Sequence, residues 1–101
     1  MDMEYTAFIG LNDRESYQQE IATEEARRIV ISAFGCCTVQ DCTGGYVHQN
    51  GVQTQENSFK VTIFADSSEE PRIVEACQKI KKALNQEAIY LDSRLATSRQ
   101  I

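Results

Sequence analysis

The chain is poor in the residues on which most catalytic and metal sites depend. In 101 residues there is one histidine, one proline and no tryptophan, and 10 lysines and arginines face 15 aspartates and glutamates. The resulting charge of −5 argues against non-specific nucleic-acid binding, which needs basic clusters to neutralise phosphates. The basic clusters that do occur, Arg27-Arg28 and Lys79 to Lys82, fall on helical stretches with acids close by. No apolar run approaches the ~20 residues of a membrane span. The opening MDMEYTAFIG has acids where a secretory leader would be basic, so the chain reads as cytoplasmic, with no membrane partner.

Cysteine is present but badly spaced for metal. Cys36 and Cys37 are adjacent, Cys42 is five residues on, Cys77 is distant, and His48 is the one histidine. Zinc sites take close pairs two to four residues apart, with a second pair elsewhere. No metal and no cofactor are expected. The thiols read as small hydrophobes in a reducing compartment.

What is present is the pattern of one folded domain. An apolar share of 42% against 25% charged is enough for a core without a disulfide or metal. Residues 4–11 alternate as a strand, with Tyr5, Ala7, Ile9 and Leu11 on one face and Thr6 and Phe8 on the other. A polar loop follows. A helix then starts with Thr23 as N-cap, carries Ala26, Ile29, Val30, Ala33 and Phe34 as its apolar stripe, and stops at Gly35.

A long hairpin comes next, Cys37 to Gln49 and Val52 to Ala65, turned by Asn50-Gly51 as a type I′ turn. Gly44-Gly45 is expected to mark a bulge. The second helix opens with a capping box, Ser67 to Glu70, and Pro71. Its apolar stripe is Ile73, Ala76, Cys77, Ile80, Ala83 and Leu84. Residues 87–92 form a last strand. The domain is expected over 1–92, with 93–101 as a tail or arm.

The order strand, helix, strand, strand, helix, strand predicts a ferredoxin-like βαββαβ α+β sandwich, a four-stranded mixed sheet with two helices on one face. Two helices leave the other sheet face open. That face would carry Thr6, Phe8, Thr54, Glu56 and Thr62. A half-apolar open face commonly meets another subunit, so a homodimer or higher homo-oligomer is expected.

The stretch CTVQDCTGGYVHQNGVQTQENSFKVTIF resembles a family of small bacterial and phage proteins of unknown function. Its pattern is a T-V-x-D-x-x-G-x-W/Y strand, a glycine turn, then V-x-x-E-x-S. Thr38, Val39, Asp41, Gly44, Tyr46, Gly51, Val52, Glu56, Ser58 and Val61 carry it here. FIGLND and Gln86-Glu87 resemble the family's first strand and C-terminal half. The resemblance implies a ferredoxin-like fold and no established reaction.

Catalytic groups are scarce. No phosphate loop, nucleophile elbow or metal motif occurs, and no catalytic residue is assigned. Asp41 and Glu56 are a carboxylate pair that the hairpin could bring together. Ligand-binding candidates are Asn12 and Arg14, which leave the end of the first strand; Tyr46, His48, Glu56 and Asn57 on the hairpin; and Arg94 and Arg99 in the tail, suited to an anion.

Two readings from different classes follow. One is a non-catalytic binding protein, a homo-oligomer holding a small anionic ligand such as a nucleotide, of phage sequestering or anti-defence type. The other is an acidic protein–protein module or inhibitor acting on a host protein. A small ferredoxin-like enzyme is a third.

Overall fold

The computed structural model describes residues 2–47, 49–97, 99 and 101; Met1, His48, Ser98 and Gln100 lie outside the described residues. The elements are β1 (Asp2–Gly10), α1 (Thr23–Phe34), β2 (Thr38–Val47), β3 (Gln53–Asp66), α2 (Glu70–Ala83) and β4 (Tyr90–Leu95). They form the ferredoxin-like α+β sandwich, with strand order β2-β3-β1-β4. The sheet is not mixed: β1 pairs antiparallel with β3 and β4, and β2 antiparallel with β3. β1 and β2, joined through α1, do run parallel, but β3 lies between them.

The alternation read from β1 and β3 is what packs the domain. Tyr5, Ala7, Ile9, Phe59, Val61 and Ile63 are buried against Ala26, Val30 and Phe34 of α1 and Ile73, Ala76 and Ile80 of α2. A fully buried side chain of this size contributes about 1.5–3 kcal/mol, so this face accounts for most of the stabilisation. Of the residues expected on the α2 stripe, Ala83 is exposed, while Leu84, just past the helix, is buried. Arg72 Nη1 donates to the Phe34 carbonyl at 3.0 Å and so satisfies an acceptor at the end of α1.

Several local devices differ from the sequence expectation. β2 and β3 pair without interruption from Thr38↔Thr62 to Val47↔Gln53, through Gly44↔Glu56 and Gly45↔Gln55; there is no bulge. That register ends at Val47↔Gln53. A type I′ turn at Asn50-Gly51 would pair Gln49 with Val52, slip the ladder by one residue and turn the apolar set outward. Gly51 has φ +84, while Asn50 does not share the positive φ and instead accepts through Oδ1 from Val52 N at 3.0 Å.

Ala22, with no side-chain hydrogen bond, holds the N-cap position of α1. Thr23 lies within the helix, and its Oγ1 accepts from Gln19 Nε2 at 2.9 Å. Asp66, not Ser67, caps the second helical segment. Its carboxylate accepts from Ser68 N at 2.9 Å and opens a 3₁₀ turn, Ser67–Glu69, that leads into α2.

β4 begins at Tyr90 rather than at residue 87, because residues 84–89 turn out of α2 and cross back to meet Phe8 opposite Tyr90. It runs on to Leu95, opposite Met3.

Candidate functional site

The open face follows directly from the register. Glu4, Thr6, Phe8 and Gly10 of β1 lie on the face away from the helices, next to Phe64, Thr62, Lys60 and Ser58 of β3 and, for the first three, Arg94, Asp92 and Tyr90 of β4. β2 adds Thr38, Gln40, Cys42 and Gly44 to the same face.

Glu56 lies at one end of this face, in space left by two glycines. A Cβ on Gly10 would stand 2.7 and 2.9 Å from its two carboxylate oxygens and 3.0 Å from Gln86 Oε1. A Cβ on Gly44 would stand 3.3 Å from Glu56 Cγ and 3.5 Å from Ser58 Oγ. A side chain at Gly10 would displace the Glu56 carboxylate, and one at Gly44 would press on its Cγ, so glycine at both strand positions leaves Glu56 where it lies. Asn12 N donates to Glu56 Oε2 at 3.3 Å. Ser58 Oγ donates to the Cys42 carbonyl at 3.3 Å, with Cys42 Sγ 3.4 Å away.

A hydrogen-bonded frame holds the loop that supports Glu56. Gln86, 8% exposed, donates through Nε2 to the Asn12 carbonyl at 2.6 Å and to the Leu84 carbonyl at 3.0 Å. Leu11 N donates to the Asn57 carbonyl at 3.0 Å. Asn57 Nδ2 donates to Gln19 Oε1 at 2.7 Å, and Asn12 Nδ2 to the Tyr17 carbonyl at 3.0 Å. Asp13 accepts from Glu15 N and Ser16 N and is met by the Asn85 amide. The Asn85 amide, followed by the Ser16 and Glu15 N–H groups, holds the Asp13 carboxyl below the usual range.

Of the expected site residues, Asn12, Glu56 and Asn57 are therefore brought together, with Asn57 turned to the helix side to hold Gln19. Asp41 does not pair with Glu56. It points to the helix side, where Arg27 Nη2 meets it at 2.7 Å, whereas Glu56 points to the open side.

Arg94 is at the far end of the face, 3.5 Å from Glu4 and 3.6 Å from Asp92. From Glu4 to Gly10 along β1 is about 20 Å at ~3.3 Å per residue, so Arg94 and Glu56 belong to different ends. Arg14 is exposed in the 13–16 turn, its N–H donating to the Asn85 carbonyl. Arg99 is exposed beyond β4. The backbone of Tyr46 pairs with Thr54; its side chain, and all of His48, lie outside what is described.

Gly10, Gly44, Ser58, Gln19 and Gln86 were not singled out as site residues. The available signal was a glycine interrupting the end of an apolar strand at Gly10, which marks close approach of another group.

Among the described residues no group of histidine, cysteine or carboxylate side chains could hold a metal ion, and no helix is long and apolar enough to cross a membrane. A surface groove between α1 and α2, lined by Arg28, Arg72 and Lys79 with Glu25 and Glu75, lies on the opposite side of the sheet from Glu56.

No family model matches the sequence, and no curated protein matches it. Solved structures do share the fold. A phage SAM lyase in complex with S-methyl-5′-thioadenosine superimposes with a TM-score of 0.74 at 14% identity, covering 92% of this chain and 80% of that one. The CutA divalent cation tolerance protein of Archaeoglobus fulgidus gives 0.59 at 12%, over 100% and 88%. A GlnK–ATP complex from B. subtilis gives 0.52 at 9%, over 92% and 84%. At these identities the likeness is one of fold, and it is the ferredoxin-like fold that the register had already drawn.

Proposed function

We propose that this chain binds a small adenosine-bearing ligand at the hollow around Glu56, as a phage-type sequestering protein. The observation that carries the reading is the Glu56 carboxylate itself, seated between Gly10 and Gly44 and reached by the Asn12 N–H. A carboxylate so placed suits ribose hydroxyls, which donate to it as they do to the acidic residue of dinucleotide-binding folds. It suits equally a cationic centre such as a sulfonium.

Two of the fold neighbours are complexes with adenosine ligands, S-methyl-5′-thioadenosine and ATP. That supports the nucleoside half of the reading. The anionic half has less behind it within one chain, since Arg94 is engaged with Glu4 and Asp92 at the other end of the face.

The test is titration calorimetry with S-methyl-5′-thioadenosine, S-adenosylmethionine and ATP. At least one nucleoside is expected to bind with a Kd below roughly 100 μM, that is, by more than about 5.5 kcal/mol. Glu56→Gln should weaken it by tenfold or more. Failure of all three to bind, or equal binding by Glu56→Gln, sinks the proposal.

A second reading is favoured by the same carboxylate together with the phage SAM lyase fold: the chain turns over S-adenosylmethionine rather than only holding it, the substrate's own carboxylate closing on the γ-carbon as the C–S bond breaks with its electron pair to sulfur, giving S-methyl-5′-thioadenosine and a lactone. Incubation with S-adenosylmethionine separates the two. Release of S-methyl-5′-thioadenosine that is absent with Glu56→Gln selects turnover, and recovery of intact S-adenosylmethionine selects binding.

A further inference from the structure

We propose that the open sheet face is covered by a second copy of this chain, and that the second copy forms the missing wall of the Glu56 site. The proposal rests on the ligand reading above for its second half and stands on the face alone for its first.

The face carries its apolar surface in the open. Phe8 is 44% exposed, Phe64 59% and Tyr90 74%. Phe8 and Tyr90 stand directly opposite each other on β1 and β4, and Phe64 lies two rows past Thr6 and Thr62 on the other side. Grouped aromatics on one exposed surface mark an interaction site more often than scattered ones do.

Charge says which partner fits. The chain as a whole carries −5, but the central rows of this face hold Lys60 and Arg94 against Glu4 and Asp92 and are neutral. A basic partner would find little to attract it there. Over those rows a second copy meets no net repulsion and can set each sign against the other, provided the acidic ends of the two copies are offset. Outside those rows the face is acidic at both ends, with Asp2 opposite Asp66 at one and Glu56 at the other, over Gly10 and Gly44.

The size is right as well. Strands ~4.8 Å apart and up to about 30 Å long present roughly 500 Å² over the body of the sheet. Beyond Gly10, β2 and β3 continue as a two-stranded ribbon through Thr43↔Asn57 to Val47↔Gln53, which adds roughly 150 Å². The sum falls in the ~600–1,000 Å² per partner of stable interfaces. A two-stranded ribbon is also marginal in water by itself, and a second copy would give it something to pack on.

The consequence for the site is geometric. Glu56 belongs to this ribbon and faces the same side as Phe8 and Tyr90. Glu56 lies over Gly10 and Gly44 and is only half-buried by its own chain. Whatever covers the face covers the ligand too.

Native mass spectrometry at micromolar concentration is expected to give two or more copies for the wild type. The double variant Phe8→Lys/Tyr90→Lys should give one, with an unchanged circular dichroism spectrum. Should that variant misfold, Tyr90→Lys alone, at a residue with little to lose on its own chain, should shift the assembly equilibrium tenfold or more towards single chains.

A wild type that stays single, or a folded double variant that stays assembled, overturns the covered face. For the composite site, binding of S-methyl-5′-thioadenosine should fall at least tenfold in the folded double variant and should weaken as wild-type protein is diluted into single chains. Binding that is indifferent to assembly overturns the shared wall and leaves the ligand reading standing. Loss of all binding in an assembled wild type strikes the ligand reading and leaves the interface standing.

Discussion

The two faces of the sheet are built from the same strands, often from neighbouring residues, and have opposite fates. On the helix side Tyr5, Ala7 and Ile9 are wholly buried. One residue away, on the other side, Phe8 remains 44% exposed and its neighbour Tyr90 74%. The core of the helix side is aliphatic and aromatic, closed by two amphipathic helices, with polar residues such as Asp41 and Asn57 only at its margin. The other side mixes aromatics, threonines and paired charges, and at its ribbon end it gives up two side chains altogether, at Gly10 and Gly44, to seat a carboxylate. A face that existed only to be wetted would have no reason for the last feature. Stability and recognition are thus divided between the two sides of one sheet, and substitutions should separate them.

The largest effect on folding should come from the helix side. Phe59 is fully buried, and Arg27 lies over its ring at 5.5 Å. Phe59→Ala should cost about 3–5 kcal/mol, read as a lower midpoint in urea with an unchanged slope. A loss below about 1 kcal/mol would mean that the two faces are not divided as described. The Tyr5 hydroxyl, on this face, is buried without a hydrogen-bond partner. Burial first, and then Glu70, Asp66 and Glu69, push its pKa up. Tyr5→Phe should leave the melting temperature equal or higher, since it removes a desolvated group and keeps the ring.

On the open side the prediction inverts: binding should change and folding should not. Gly10→Ala places a methyl group within 3 Å of both Glu56 oxygens. The carboxylate is the free end of a flexible side chain and can swing away, and alanine also orders the unfolded chain less expensively than glycine does. Stability should therefore stay within about 1 kcal/mol of wild type, while nucleoside affinity measured by calorimetry falls by tenfold or more. Unchanged affinity would show that the position of Glu56 is immaterial.

The sequence announced the helix side almost completely and the open side only in outline, for a physical reason. Core formation is collective. The alternation of Tyr5, Ala7 and Ile9, and of Phe59, Val61 and Ile63, repeats a period that any strand buried on one side must have, so single misreadings do not matter. A recognition site depends on register and on a few individual residues. Asn50-Gly51 suggested a turn that would have shifted β2 against β3 by one residue, and the apolar pattern of Val39↔Val61 and its neighbours overruled it. With the register settled, Asp41 moved to the helix side beside Arg27, and Glu56 was left alone on the other. Asn12 was legible as a polar residue leaving the end of a strand, and Glu56 as a polar residue within one. Gln86 was visible only as part of a family pattern, because nothing local reveals that its amide will reach the Asn12 carbonyl 74 positions away in the chain.

A smaller effect tests the loop that joins the two ends of this frame. Asp13 ties the turn at residues 13–16 to Asn85, and these hydrogen bonds favour its ionised form. A carboxyl whose folded pKa is depressed adds stability that is fully present above the unfolded value of ~3.9, and that stability is lost as pH falls through the folded value. Asp13→Asn should consequently melt lower than wild type between neutrality and about pH 5. The gap should narrow steadily below about pH 4, as the wild type gives up the contribution that the variant never had. The group is solvent-accessible, so the gap should be the smallest of these effects, and thermal melts at closely spaced pH are needed to see it. A gap that stayed constant to the lowest pH would locate the role of Asp13 in the shape of the turn rather than in its charge.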